Sequence, residues 1–230
     1  MKISGLQKTT LLDYPEHVAA TVFLGGCNFR CPFCHNRDLL GQDAEELYTK
    51  EELMAFLKKR ANILEGVCIT GGEPTLQPDL EALMRDIKAL GYEIKLDTNG
   101  FRPDVLKSLC GAGLVDYVAM DIKNSREHYA QTAGLPAMDM DHIEESIRFL
   151  MQGNIPYEFR TTVVKELHGP EDFLSIGRWL QGCRAYFLQN YVDSDRVLKP
   201  GFTSCTKEEL LTFQQLLLPY IPVTQLRGVD

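Results

Sequence analysis

The strongest constraint on this chain is an alternation. Apolar, β-rich runs that end at Gly, Asp or Asn are each followed by a segment with helical periodicity. The runs fall at residues 18–25, 66–70, 92–96, 116–120, 157–164 and 185–192. Helical patterns lie at about 49–61, 78–90, 103–111, 126–132, 142–151, 173–180 and 206–218. Thr49 with Glu52, and Thr206 with Glu209, have the spacing of capping boxes, while Gly91 sits where a helix should stop. Six strands interleaved with helices predict an α/β fold with a parallel sheet and right-handed crossovers. Periodicity leaves open whether that sheet is doubly wound or a barrel. In both, ligands bind at the carboxyl ends of the strands, where the polar segments of this chain lie.

A chain of 230 residues is one domain or two small ones, with room for a substantial core. A formal net charge of −8 argues against a general nucleic-acid binder. No apolar run reaches the roughly 20 residues of a membrane span, and the N-terminus lacks the shape of a signal peptide. Seven cysteines are an odd number, and three of them sit together. That usage suits a reducing cytoplasm and a metal cluster better than a disulfide framework.

The clustered cysteines are Cys27, Cys31 and Cys34, in the loop behind the first run. Thiolates this close suit a soft metal centre, either iron–sulfur or zinc. Structural zinc wants four closed ligands, and no fourth Cys or paired His stands at zinc-finger spacing. A cubane held by three thiolates leaves one iron free to bind a substrate. Gly25 and Gly26 let the backbone turn away from the strand and leave room for such a group. His35 reads as a hydrogen-bonding loop residue, and Arg30 is given no role. Cys68, Cys110, Cys183 and Cys205 stand alone and read as small core hydrophobes.

Other strand ends carry polar motifs. Gly71-Gly72-Glu73-Pro74 follows the second run, Asp97-Thr98-Asn99-Gly100 the third, and Asp121-Ile122-Lys123 the fourth. Taken alone, the first two are turn signals. Asp121 and Lys123 are two apart, so a strand carries them on one face. If that face is interior, a Lys beside Asp97 and Asp121 is a buried charge group that needs pairing or function. Arg160 lies inside an apolar run and must be exposed or paired.

The Cys-x3-Cys-x2-Cys spacing resembles the signature of the radical S-adenosylmethionine (radical SAM) superfamily. Residues 5–15 and 26–36, with Lys95–Gly100 and Asp116–Lys123, resemble activating proteins of glycyl radical enzymes, above all of anaerobic ribonucleoside-triphosphate reductase. The resemblance implies a partial (βα)6 TIM-like barrel. It implies a single domain over residues 1–230, with a core at about 16–192 and a C-terminal helical extension at about 205–220. It implies a [4Fe–4S] cluster on Cys27, Cys31 and Cys34, and SAM at its open iron. For SAM binding it implies Phe33 beside the adenine, Gly71, Gly72 and Glu73 at the amino group, and Asp97, Asn99, Lys123 and Arg160. Gln189 stands where related activases can carry a His toward SAM. Asp97 and Lys123 are the expected catalytic residues, and Thr98 and Asp121 the expected ligands of a monovalent cation. The implied partners are a large glycyl radical enzyme and a flavodoxin- or ferredoxin-type electron donor. Alternatives within the superfamily are a pyruvate formate-lyase-type activase and a small-molecule enzyme such as 7-deazaguanine synthase.

Overall fold

The computed structural model describes residues 1–41, 43–153 and 155–229. Eight strands form one sheet in sequence order. They are β1 (Ile3–Thr10), β2 (Ala19–Leu24), β3 (Gly66–Gly71), β4 (Glu93–Thr98), β5 (Tyr117–Asp121), β6 (Tyr157–Val163), β7 (Tyr186–Asn190) and β8 (Thr224–Arg227). β1 pairs antiparallel with β2, and every later neighbour pair is parallel. The helices are α1 (Lys50–Arg60), α2 (Leu80–Ala89), α3 (Pro103–Gly111), α4 (Tyr129–Thr132), α5 (Asp141–Gln152), α6 (Pro170–Trp179) and α7 (Lys207–Leu217). The sheet is a partial TIM-like barrel of the α/β class.

The two faces of the sheet explain the sequence pattern. On β4, Ile94 and Leu96 are fully buried in the apolar core, while Lys95 and Asp97 point the other way. On β5, Val118 and Met120 belong to that core and Asp121 does not. The concave face is therefore polar. Arg160 of β6 reaches across β5 to Asp97 of β4, as a curved sheet allows. Both capping boxes form: Thr49 opens α1 and Thr206 opens α7.

The six expected strands are present, and two more join them. β1 alternates poorly and leaves its middle exposed, so it carries no clear period. β8 has four residues, Thr224-Gln225-Leu226-Arg227, too few and too polar to signal a strand. The stretch expected as a helical extension at about 205–220 carries α7, and β8 follows it in the chain. The helical pattern at 126–132 shrinks to the single turn of α4.

Candidate active site

One cavity opens at the carboxyl ends of β3 to β6. Its wall includes Cys27, Cys31, Phe33 and Cys34 from the loop after β2. Gly71, Gly72 and Glu73 follow β3, and Asp97, Thr98 and Asn99 end β4 and begin its loop. Asp121 and Lys123 come from the end of β5 and Arg160 from β6. Thirteen segments-apart positions are thereby gathered by strand order alone, because each strand ends at the same rim. Gln189 does not line the cavity; it sits on β7 in register with Thr162, one strand beyond the wall.

The cysteine loop is tied down from several sides. Gly26 N–H donates to Leu39 O and Cys27 N–H to Leu40 O. Arg30, given no role from sequence, donates through its Nη1 to the carbonyls of Cys27 and Phe29 at 2.6 and 2.7 Å. The segment after β7 lies across the loop, with Leu198 and Lys199 N–H donating to Cys34 O and Pro32 O. His35 is a hydrogen-bonding loop residue: its Nε2 contacts Val192 O and its ring stacks on Tyr191. All seven cysteines are free thiols. Burial pushes the Cys27 thiol up to about 12 and Cys31 to about 11, and raises Cys34, while the Lys123 ammonium pulls all three back.

Gly71 and Gly72 permit a close crossing of chains. Gly71 has φ +123, and a Cβ there would lie 2.3 Å from Leu24 O. A Cβ on Gly72 would lie 2.2 Å from Gly26 O. The next residue, Glu73, is 1% exposed. Its Oε1 accepts from Thr75 N–H (3.1 Å), Thr75 Oγ1 (2.5 Å) and Thr98 Oγ1 (2.7 Å). Its Oε2 accepts from Asn99 N–H at 2.6 Å. Burial raises the Glu73 carboxyl, and these donors pull it back. Glu73 thus bolts the β3 end to the β4 end while its carboxylate faces the cavity. Asn99 continues the link, donating from Nδ2 to Asn28 Oδ1 at 2.8 Å.

The opposite wall is a chain of charges. Lys95 Nζ contacts Asp97 Oδ1. Asp97 Oδ2 accepts from Arg160 Nη2 at 3.0 Å. Arg160 Nε donates to Asp121 Oδ1 at 2.5 Å, and Lys123 Nζ to Asp121 Oδ2 at 2.9 Å. Burial by itself would raise Asp97, but Arg160 and Lys95 overcome it and hold the carboxyl below its usual range. Arg160 and Lys123 do the same to Asp121. Arg160 therefore faces inward and is paired. Lys123 pairs with Asp121, while the cations on Asp97 are Arg160 and Lys95. Lys95 escaped the sequence reading because nothing but strand parity marks it as inward. Cys68 is buried as expected, yet it lies 3.8 Å from Lys95 Nζ and 3.7 Å from an Asp97 oxygen. Thr98 and Asp121 have other partners: Thr98 donates to Glu73, and both Asp121 oxygens are held by Arg160 and Lys123.

A parallel barrel with three thiols facing a charged wall defines a class, and the comparisons with known proteins name it. The chain belongs to the radical SAM superfamily, whose family model matches residues 21–179. A Methanocaldococcus jannaschii protein named as a glycyl-radical enzyme activating enzyme is 31% identical over 203 residues, covering 84% of this chain and 81% of its own. Among solved structures, Streptococcus suis SuiB bound to its precursor peptide SuiA superposes with a TM-score of 0.72 at 14% identity, over 90% of this chain and 48% of SuiB. A domain of a pyruvate-formate lyase-activating enzyme from Bacteroides vulgatus gives 0.58 at 17% identity, over 71% of this chain and 99% of that one. At such identities the structures establish the fold.

Membership implies a [4Fe–4S] cluster and SAM, and the residues present fit both. The donors are three soft, unbridged thiols on one loop. Among the described residues, no group of three or more His, Cys, Asp or Glu side chains converges on a point that would hold one metal ion. The Asn28 side-chain nitrogen, in the same loop, is buried without a partner among the described residues. For SAM, the wall offers an anion at Glu73 and cations at Arg160 and Lys123, matching an amino acid's ammonium and carboxylate. No helix among the described residues is long and apolar enough to cross a membrane.

Proposed function

We propose that this chain is the activase of a glycyl radical enzyme, with anaerobic ribonucleoside-triphosphate reductase as its partner. The reading is supported by the M. jannaschii relative, similar across most of both chains, and by the flanking motifs at residues 5–15, 26–36, 95–100 and 116–123. The observation that carries the chemistry is one cavity holding three thiols on one wall and the Asp97–Arg160–Asp121–Lys123 chain on the other. A [4Fe–4S] cluster held by Cys27, Cys31 and Cys34 would supply the one electron that reductive cleavage of the SAM sulfonium needs; the products would be methionine and a 5′-deoxyadenosyl radical, which would take a hydrogen atom from a backbone glycine of the partner.

The chain's own residues bind, orient and exclude. Cys27, Cys31 and Cys34 hold the cluster as thiolates, with Lys123 lowering the energy of their charged forms. Glu73 takes the methionine ammonium, and Arg160 and Lys123 take the carboxylate. Phe33, 6% exposed, gives the adenine an apolar wall. Asp97 and Asn99 face the adenosyl part, so that the reacting carbon is positioned before charge moves. Gln189, one strand beyond the wall, takes no part in holding SAM in this reading. A monovalent cation near Thr98 and Asp121 would compete with Lys123 and Arg160 for Asp121. The electron comes from a flavodoxin- or ferredoxin-type donor.

The test is anaerobic. Reconstituted protein, SAM, a chemical reductant and ribonucleotide reductase from the same cell should give the electron-paramagnetic-resonance doublet of a glycyl radical. Cys27→Ala should lose cluster iron and all SAM cleavage. A doublet on pyruvate formate-lyase alone would reassign the partner. SAM cleavage with no doublet on any glycyl radical enzyme would sink the activase reading.

A further inference from the structure

We propose that Lys95, which does not line the cavity, sets the charge of its floor and thereby makes the pocket select ligands that carry a free carboxylate. The chain of ion pairs runs Lys95, Asp97, Arg160, Asp121, Lys123. All four carboxylate oxygens in it are engaged, each by a different cation–oxygen contact. The chain therefore begins and ends on a cation and holds three cations against two anions. Glu73 stands outside it, its oxygens occupied by neutral donors. Lys95 supplies the surplus. Without it the four remaining groups cancel.

Two consequences follow from burial and donor counting. The Lys95 side chain is 2% exposed, so water screens its charge poorly. With Lys95 covering one oxygen of Asp97, Arg160 spends only Nε and one Nη2 hydrogen on the two carboxylates. A guanidinium has five N–H donors, which leaves three for a ligand, and Lys123 retains two of its three. Both residues line the cavity, so the surplus charge is presented to whatever binds there. Such a floor favours a carboxylate, while the Glu73 anion elsewhere on the cavity wall is left for the ammonium. Cys68, whose thiol faces both Lys95 and Asp97, adds no charge that could cancel it, since burial raises its pKa.

This inference rests on the pocket being the SAM site. Its test is equilibrium binding to the reconstituted holoprotein under anaerobic conditions, comparing SAM with decarboxylated SAM. The readout is the ratio of the two dissociation constants in each protein. Any contribution of the carboxylate that does not depend on Lys95 is common to all variants and drops out of the comparison. Lys95→Met should shrink the ratio by about tenfold. Lys95→Met combined with Asp97→Asn restores one surplus positive charge, and the ratio should return to within about threefold of wild type. A ratio unchanged in Lys95→Met would overturn the proposal, as would a double variant that is no better than the single one. Lys95 would then be a prop for Asp97. If Lys95→Met alone fails to fold or to hold iron, Asp97→Asn alone decides: it adds one surplus positive charge to the chain and should widen the ratio by about tenfold, and an unchanged ratio would overturn the proposal. Wild-type protein that binds neither ligand would instead defeat the assignment of the pocket.

Discussion

Gly71 shows how a single residue fixes the site. Its left-handed φ and the Leu24 carbonyl beside it let the β3 end cross the β2 end, which brings Glu73 under the cysteine loop. Gly113 has φ +67 but nothing within 4 Å of a Cβ. Gly113→Ala should therefore cost about 1 kcal/mol, from backbone strain alone. Gly71→Ala meets backbone atoms as well and should cost about 3 kcal/mol or more, read as the difference in urea midpoints. The carboxylates of the floor make a pH argument. Asp97 and Asp121 are held below the ordinary carboxylate range in the fold. Their stabilisation is complete above the unfolded value of about 4 and is lost as pH falls toward the folded values. Acid titrations of urea stability should show a steep fall below about pH 4 that Asp121→Asn makes shallower. An equal slope in the variant would mean that other groups dominate.

At the scale of the element, β8 is the instructive case. Arg227 makes two contacts, at 2.7 and 2.8 Å, with the carboxylate of Glu158, which is 1% exposed. Its guanidinium also lies 3.5 Å from the centroid of Phe187. Tyr117 donates to the same carboxylate at 3.1 Å. A four-residue strand is thus fastened by one side chain reaching two strands away, to β6. Removing that partner strands a buried charge. Arg227→Leu should destabilise by about 3 kcal/mol, and adding Glu158→Gln should recover more than half, as a double-mutant cycle measures. A purely additive result would show that Arg227 acts by packing. The cysteine loop is fastened differently, by backbone bonds from residues 39–40 and 198–199 and by Arg30. It is an irregular segment made stiff by its neighbours, which suits a loop that must present three thiols at fixed places.

Over the whole molecule, strand order equals sequence order, so each strand is paired with its neighbours in the chain. β8 belongs to the same sheet as the rest, and α7 packs against α6, as Phe213 stacks on Phe173. We propose one folding unit. In cluster-free protein, the fluorescence of Trp179, the only tryptophan, and the far-ultraviolet circular dichroism should lose their folded signals in one coincident urea transition. Separate midpoints would divide the C-terminal segment from the barrel. Two exposed leucines, Leu11 and Leu12, sit at the other end of β2 from the cysteine loop, in a bend held by Thr10 Oγ1.

What the sequence determined by itself was everything local. Alternation of strand and helix periods, the capping boxes at Thr49 and Thr206, and the cysteine spacing are all written within short windows, because each depends on one turn, one strand or one loop. The same holds for the rim residues, since parallel strands separated by helices must all end on one side. Tertiary structure decided what depends on the sheet's curvature and edges. β1 and β8 are strands because a neighbouring edge supplies their hydrogen bonds, not because their own residues alternate. Arg160 is a bridge because bending brings β4 and β6 within one guanidinium of each other. Lys95 reaches Asp97 because its side chain is buried on the inner face, where, among the described residues, that carboxylate and the Cys68 thiol are the partners of its ammonium. Gln189 stays outside because the cavity wall stops at β6. Charges on a strand have a face from sequence alone, but their partners are set only when distant strands close around them.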